Sequence, residues 1–105
     1  MKPVSDRSGG VNVRVRLVGF PELKRLLGTQ EIAVELEGRT LRDLLVHLKD
    51  RYGPAVAKAL LDERERLDPS VQVLRNEAEW LKKDDLSQAL RDGDLLTFLL
   101  LVAGG

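Results

Sequence analysis

The segment that most restricts the fold is the apolar run from Leu95 to Ala103, broken only by Thr97 and preceded by the turn residues Asp92-Gly93-Asp94. It is far too short to cross a bilayer, which takes about 20 apolar residues in a helix. A continuous apolar run bounded by turn residues suits a strand buried on both faces, in the middle of a sheet. A partner of similar length lies near the start of the chain. Val11, Val13, Val15 and Leu17 alternate with Asn12, Arg14 and Arg16, a period of two that marks a strand. These two strands are expected to sit centrally.

The rest of the chain supplies the other layers. Residues Met1 to Gly10 carry Pro, Ser, Asp and two glycines and read as a flexible N-terminal arm. Gly19, Pro21 and Gly28 bracket a connection in which Leu23, Leu26 and Leu27 share one side of a short helix. A second alternation follows, with Ile32, Val34 and Leu36 facing one way and Glu31, Glu35 and Glu37 the other. If the first two strands pair, Arg14 and Arg16 face this Glu row. Thr40 and Asp43 have the spacing of a capping box. They open a helix with a single apolar stripe, Leu41, Leu44, Leu45, Leu48 and Tyr52. Gly53 ends it, and Pro54 suits the first turn of a short second helix buried through Val56, Ala59 and Leu60. The charged stretch Asp62 to Asp68 is a loop or a fraying helix end. Val71 and Val73 start a third strand, Asn76 a turn, and Ala78 to Leu81 a short fourth strand. Leu86 and Leu90 anchor a brief helical turn. One main helix across a small mixed sheet of four to five strands is an α+β arrangement. The right-handed crossover rule places that helix between parallel neighbours.

Composition narrows the function. The 105 residues fit one domain, and 17 Lys and Arg balance 17 Asp and Glu. A nucleic-acid binder would usually show a basic excess on one face, so no nucleic-acid partner is expected. The polar N-terminus shows no signal peptide, and no membrane partner is expected. Without cysteine the chain has no disulfide, thiol nucleophile or cysteine metal site, which points weakly to the cytoplasm. The single histidine, His47, falls off the apolar stripe and reads as solvated. Ser5, Ser8, Ser70 and Ser87 have no histidine at a recognisable spacing. Asp62-Glu63 and Asp84-Asp85 read as a solvated face, since a divalent cation wants more oxygen ligands at defined spacing. Asp92-Gly93-Asp94 alone reads as a turn, and Trp80 as a core or rim packing residue. No catalytic side chain and no metal site is expected.

What remains is the ending, Val102-Ala103-Gly104-Gly105. Glycine has no side chain, so such a tail can thread a narrow channel and hold out its carboxylate as a reactive group. A frayed end or a cloning cut is the alternative. The segment Leu90-Arg91-Asp92-Gly93-Asp94, the hydrophobic strand and this ending resemble the small ubiquitin-like sulfur carriers of the MoaD/ThiS type, among them the small subunit of molybdopterin synthase and the thiamine-thiazole carrier. Phe20, Leu23, Gly28, Thr40, Asp43-Leu44-Leu45 and Val71 to Asn76 extend the match over residues 11 to 105. The chain departs from the pattern twice. Leu99, Leu100 and Leu101 stand where many relatives have a proline, and Glu77 stands where many have glycine.

The resemblance implies a β-grasp, ubiquitin-like fold over residues 11–101, with residues 102–105 as a flexible C-terminal tail. It implies that the Gly105 carboxylate is adenylated by an E1-like ATP-dependent enzyme and converted to a thiocarboxylate. Gly104, Ala103 and Val102 would thread the partner's active site. No cofactor would be bound, and ATP would be used by the activating enzyme. The other implied partners are a sulfurtransferase or another sulfur donor and a larger catalytic subunit of molybdopterin synthase. The helix at Pro54 makes the chain look more like the molybdopterin-synthase small subunit, or a carrier for cysteine synthesis, than the thiazole type. A protein modifier joined to lysines through Gly105, and a plain interaction domain, are the competing readings.

Overall fold

The apolar run does form the middle of a sheet. In a computed structural model that describes residues 10–101, strand β5 (Leu95–Leu100) lies between β1 (Val11–Val18) and β3 (Val71–Arg75). The five strands run in the order β2-β1-β5-β3-β4, with β2 at Glu31–Leu36 and β4 at Glu79–Trp80. β1 and β5 are parallel, and every other neighbouring pair is antiparallel. Helices α1 (Pro21–Leu27), α2 (Leu41–Tyr52) and α3 (Pro54–Leu60) complete the α+β arrangement. Residues 1–9 of the expected arm and all of the expected tail, 102–105, lie outside the described residues.

Alternation fixes which face each strand buries. Val11, Val13, Val15 and Leu17 point into the core, and the register sets Leu96 and Phe98 beside Val15 and Leu17 on that face. The α2 stripe meets them: Leu41, Leu44, Leu45 and Leu48 are buried, with Tyr52 partly so. Val56 and Leu60 of α3 extend the same core, and Ala59 is only partly buried there. Burying a leucine or valine stabilises by about 1.5–3 kcal/mol, so this one face carries the fold.

The helix ends follow their sequence signals. Thr40 Oγ1 accepts the Asp43 N–H at 3.1 Å, and Asp43 Oδ2 accepts the Thr40 N–H at 3.1 Å, the reciprocal capping box. The Thr40 backbone N–H, the Thr40 hydroxyl and the Arg39 N–H hold the Asp43 carboxyl below its ordinary pKa. Gly53, at φ +83°, ends α2, and Pro54 starts α3.

Several expectations need correcting. The main helix does not join parallel neighbours: α2 and α3 link β2 to β3, two parallel strands with β1 and β5 between them. Arg14 and Arg16 do face the Glu row, as expected, but both meet one member of it. Register sets Arg16 opposite Glu31 and Arg14 opposite Ala33, so both converge on Glu31, at 3.2 and 3.3 Å. In α1, Leu23 is buried but Leu26 is 57 % exposed, because this short helix meets the core through little more than Leu23. Leu86 and Leu90 are buried, but the expected helical turn is reduced to one hydrogen-bonded turn at Leu86-Ser87, closed by the Gln88 N–H on the Asp85 carbonyl at 3.5 Å. From there the segment runs against the start of α2, with Ala89 bridging Thr40. Gln88 and Leu86 carbonyls accept the N–H groups of Leu41 and Arg42 at 3.1 and 2.9 Å. Those are donors that a helix start leaves without intrahelical partners. Trp80 is neither core nor rim: it is 58 % exposed on the edge strand β4.

Candidate functional site at the root of the tail

β1 and β5 run side by side and in the same direction, so Val18 and Leu99 come together at one end of the sheet. Leu101 is the last described residue, and its N–H donates to the Ser70 carbonyl at 2.7 Å. Gly19 lies against this exit. It has φ +92°, and a Cβ there would stand 3.2 Å from the Leu100 Cβ and 3.4 Å from the Leu100 carbonyl oxygen. Both the backbone angle and the close approach therefore require glycine. Gly19, Phe20, Pro21, Leu23, Ala59 and Leu100 line a shallow groove of about 250 Å³ beside the exit.

The sheet face turned away from the helices carries an apolar patch at the same end. On this face Val18 of β1 and Leu99 of β5 share the exit row with Gln72 of β3, Leu101 follows β5, and Leu74 of β3 and Trp80 of β4 lie one row farther in, beside Thr97. Val18, Trp80 and Leu101 are 38, 58 and 49 % exposed. Grouped apolar exposure marks contact surfaces more often than scattered single residues do. The β1 side of the row that holds Leu74 and Trp80 is ionic. Arg16 donates to Glu31 and, across β5, to Glu77 at 3.2 Å, and Thr97 lies buried in the row between them.

Glu77 occupies an unfavourable backbone position. Asn76 and Glu77 have φ +52° and +61°, and the Ala78 N–H closes the turn on the Arg75 carbonyl at 3.0 Å. Such a turn favours Asn-Gly. Left-handed φ costs a residue with a side chain about 1–2 kcal/mol, whereas an exposed ion pair returns about 0–1. After allowing for glycine's greater freedom in the unfolded chain, Glu77→Gly is expected to raise stability by roughly 0.5 kcal/mol in urea unfolding. A loss of about 1 kcal/mol or more would show that the Arg16 bridge dominates instead.

The Asp92-Gly93-Asp94 turn lies at the far end of β5 and is a structural clamp. Gly93 has φ +90°, and Asp92 Oδ1 accepts the Asn12 N–H at 2.8 Å. Asp94, only 4 % exposed, accepts from Asn76 Nδ2 at 3.0 Å and from the Arg91 N–H at 2.9 Å. Asn76 Oδ1 in turn accepts the Leu95 N–H at 2.7 Å. Arg75 Nε lies 3.4 Å from Asp94 Oδ2, an ionic contact without hydrogen-bond alignment, while Arg75 Nη2 donates to the Ala89 carbonyl at 2.7 Å. Sequence reasoning recognised both turns but missed that they lock together. The signal was present, since an Asn turn and an Asp-Gly-Asp turn flank strands that pair.

No side-chain constellation for catalysis is assembled among the described residues. His47 is half-buried on α2, and among the described residues no group of three or more His, Asp or Glu is placed to hold a metal ion. Asp62 and Asp85 accept hydrogen bonds from their own loops. Asp84 joins no ion pair among the described residues. No described helix is long and apolar enough to cross a membrane. Val102, Ala103, Gly104 and Gly105, the sequence-predicted site, lie outside the described residues. What the structure provides is the platform from which they leave.

The sequence profile of the ThiS family matches residues 20–105, most of the chain and through its last residue. The chain belongs to the ThiS family. Solved structures agree on the ubiquitin-like β-grasp fold. Small archaeal modifier protein 1 from Methanosarcina acetivorans is 28 % identical with a TM-score of 0.70, covering 93 % of this chain and 100 % of that one. CysO, in the Amycolatopsis orientalis BexX/CysO complex, is matched at 28 % identity and a TM-score of 0.66, covering 89 % of this chain and 99 % of the matched chain. A Pyrococcus furiosus protein described as molybdopterin converting factor subunit 1 is 26 % identical with a TM-score of 0.61, covering 88 % of this chain and 99 % of that one. No curated protein matches the sequence. The ThiS-family chain is thus a member of the ubiquitin-like sulfur carriers and modifiers.

Proposed function

We propose that this protein is a sulfur carrier whose reacting group is the Gly105 carboxylate, acting in the cytoplasm as the small subunit of a molybdopterin synthase. The observation that carries the reading is the family match through residue 105 on a fold whose central strand leads directly into the tail. A carboxylate has no good leaving group, so it must be activated. A Gly105 oxygen attacks the α-phosphorus of ATP bound to an E1-like enzyme, and pyrophosphate leaves. A hydrosulfide equivalent from a sulfur donor then attacks the acyl carbon and displaces AMP, leaving a thiocarboxylate and a proton. Gly104, Ala103 and Val102 pass through the channel, and the larger synthase subunit supplies the catalytic side chains. The apolar patch of Val18, Leu74, Trp80, Leu99 and Leu101 docks the activating enzyme, because it is continuous with the point where the tail leaves.

The likeness to small archaeal modifier protein 1 favours a second reading, conjugation of Gly105 to lysines as a modifier. Intact mass after incubation with ATP, an activating enzyme and a sulfur source separates them. Replacement of one oxygen by sulfur at Gly105 is the expected result. Conjugates of high mass that vanish on deleting Gly104 and Gly105 would favour the modifier. An unchanged mass in every condition would overturn both.

A further inference from the structure

Lys83 follows β4 on the irregular segment, outside the apolar patch, the groove and the turn clamp. Its side chain reaches the loop before β3, where Nζ donates to the carbonyls of Asp68 and Pro69, each at 2.8 Å. Burial pulls the ammonium below its ordinary pKa, with Asp68 acting in the opposite sense. A partly buried ammonium is a costly group unless its donors are used, and here two of its three are spent on backbone. The carbonyls it holds immediately precede Ser70. From the other side, Asp68 Oδ1 accepts the Ser70 N–H at 2.9 Å and the Ser70 hydroxyl at 2.6 Å. The Pro69–Ser70 peptide is thus held through its carbonyl by Lys83 and through its N–H by Asp68; in the next peptide the Val71 N–H donates to the Asp68 carbonyl at 2.9 Å, the same carbonyl Lys83 holds, and the Ser70 carbonyl accepts the Leu101 N–H. That bond is the last described tie between the sheet and the chain that continues to Gly105.

We propose that Lys83 is a positioning residue for the tail. By fixing residues 68–70 it fixes the Ser70 carbonyl, and so the point and direction at which the chain leaves the sheet. The proposal rests on the sulfur-carrier reading above. Residues 102–105 reach at most about 14 Å when extended, so the exit point decides where the carboxylate can go. If Leu101 were released, its backbone would have to be ordered anew at each encounter, a handicap of roughly fivefold to thirtyfold per residue.

The test uses the full chain with an activating enzyme, ATP–pyrophosphate exchange and amide hydrogen exchange. Lys83→Met is expected to lower kcat about tenfold, as releasing one backbone residue would. It is expected to change the KM for the carrier by no more than about threefold, less than kcat, because only Leu101 of the docking patch is loosened while Val18, Leu74, Trp80 and Leu99 stay on their strands. The Leu101 amide should exchange at least about tenfold faster, since it loses its fixed acceptor. Lys82→Met, on the neighbouring exposed lysine, should change neither quantity. Lys83→Arg keeps a charged donor and should restore slow Leu101 exchange. Unchanged Leu101 exchange in Lys83→Met overturns the proposal, as does unchanged kcat beside faster exchange. If Lys83→Met does not fold, Asp68→Ala removes the opposite grip on Ser70 and should show the same fall in kcat; an unchanged kcat there overturns the proposal. Failure of the wild-type chain to be activated at all counts against the sulfur-carrier reading itself, and Leu101 exchange still decides whether Lys83 anchors the exit.

Discussion

Adding a single residue after Gly105 is expected to lower activation by ATP and the activating enzyme at least about 100-fold, because a misplacement of only 1 Å at a reacting centre can cost that much. One residue moves the carboxylate by up to about 3.5 Å, well beyond the approach distance of a reacting pair. Docking should survive, since the patch around Val18, Trp80 and Leu101 is unaltered. The extended chain should therefore compete with the wild type for the enzyme while failing to form an acyl-adenylate. Its melting temperature should also be unchanged, as a terminal addition disturbs no packed contact. The measurement is ATP–pyrophosphate exchange together with competition by the extended chain. Full activation of the extended chain, with no trimming seen by mass, would remove the Gly105 carboxylate from the mechanism.

The second large effect is on stability. Asp94→Ala is expected to cost about 3–5 kcal/mol, the penalty of breaking a buried ion pair. Arg75 is only 11 % exposed at its side chain and would lose its buried carboxylate. Asn76 Nδ2 and the Arg91 N–H would lose their acceptor as well. The bond from the Asn76 side chain to the Leu95 N–H would then be unsupported, at the point where β5 enters the sheet. Asp94→Asn keeps acceptor oxygen but removes the charge and is expected to cost about half as much, since hydrogen bonds to charged groups are the stronger ones. Urea unfolding of both variants tests the clamp. A cost below about 1 kcal/mol for Asp94→Ala would show that Glu79, 3.7 Å from Arg75 Nη1, and the Ala89 carbonyl are enough for the guanidinium.

Much of the fold was legible because period and punctuation agree. Val11 to Leu17 alternate, α2 carries one stripe, and Thr40, Gly53 and Pro54 mark helix ends by backbone chemistry that acts locally. The central place of β5 followed from its lack of polar alternation. Other features depend on register and contact at a distance, which local pattern does not encode. Glu31 receives both arginines because of a strand offset. Residues 86–90 run along the start of α2 and form no helix because that helix start offers unpaired donors, and no local signal announces that. Leu67 looked like part of a charged loop, yet it is buried and bridges Leu61. The proposed chemical handle was legible for the opposite reason: nothing else in the sequence competes with Gly104 and Gly105. How Leu101 is held before them was not legible, since Lys83, Asp68 and Ser70 are individually unremarkable residues that only the fold brings together.

The order β2-β1-β5-β3-β4 also bears on how the protein is made. The strand that joins the two halves of the sheet is the last one in the chain, and its clamp ties Asn12 to Asp92, 80 positions away. Until β5 emerges from the ribosome, β1–β2 and β3–β4 are separate hairpins with open edges. Pairing at such separation is slow to close compared with local contacts. A nascent or truncated chain therefore cannot finish the sheet and also lacks the tail. Completion of the fold and emergence of residues 102–105 become one event, so under the proposed function an activating enzyme that recognised the finished sheet would meet only chains that carry the Gly105 carboxylate.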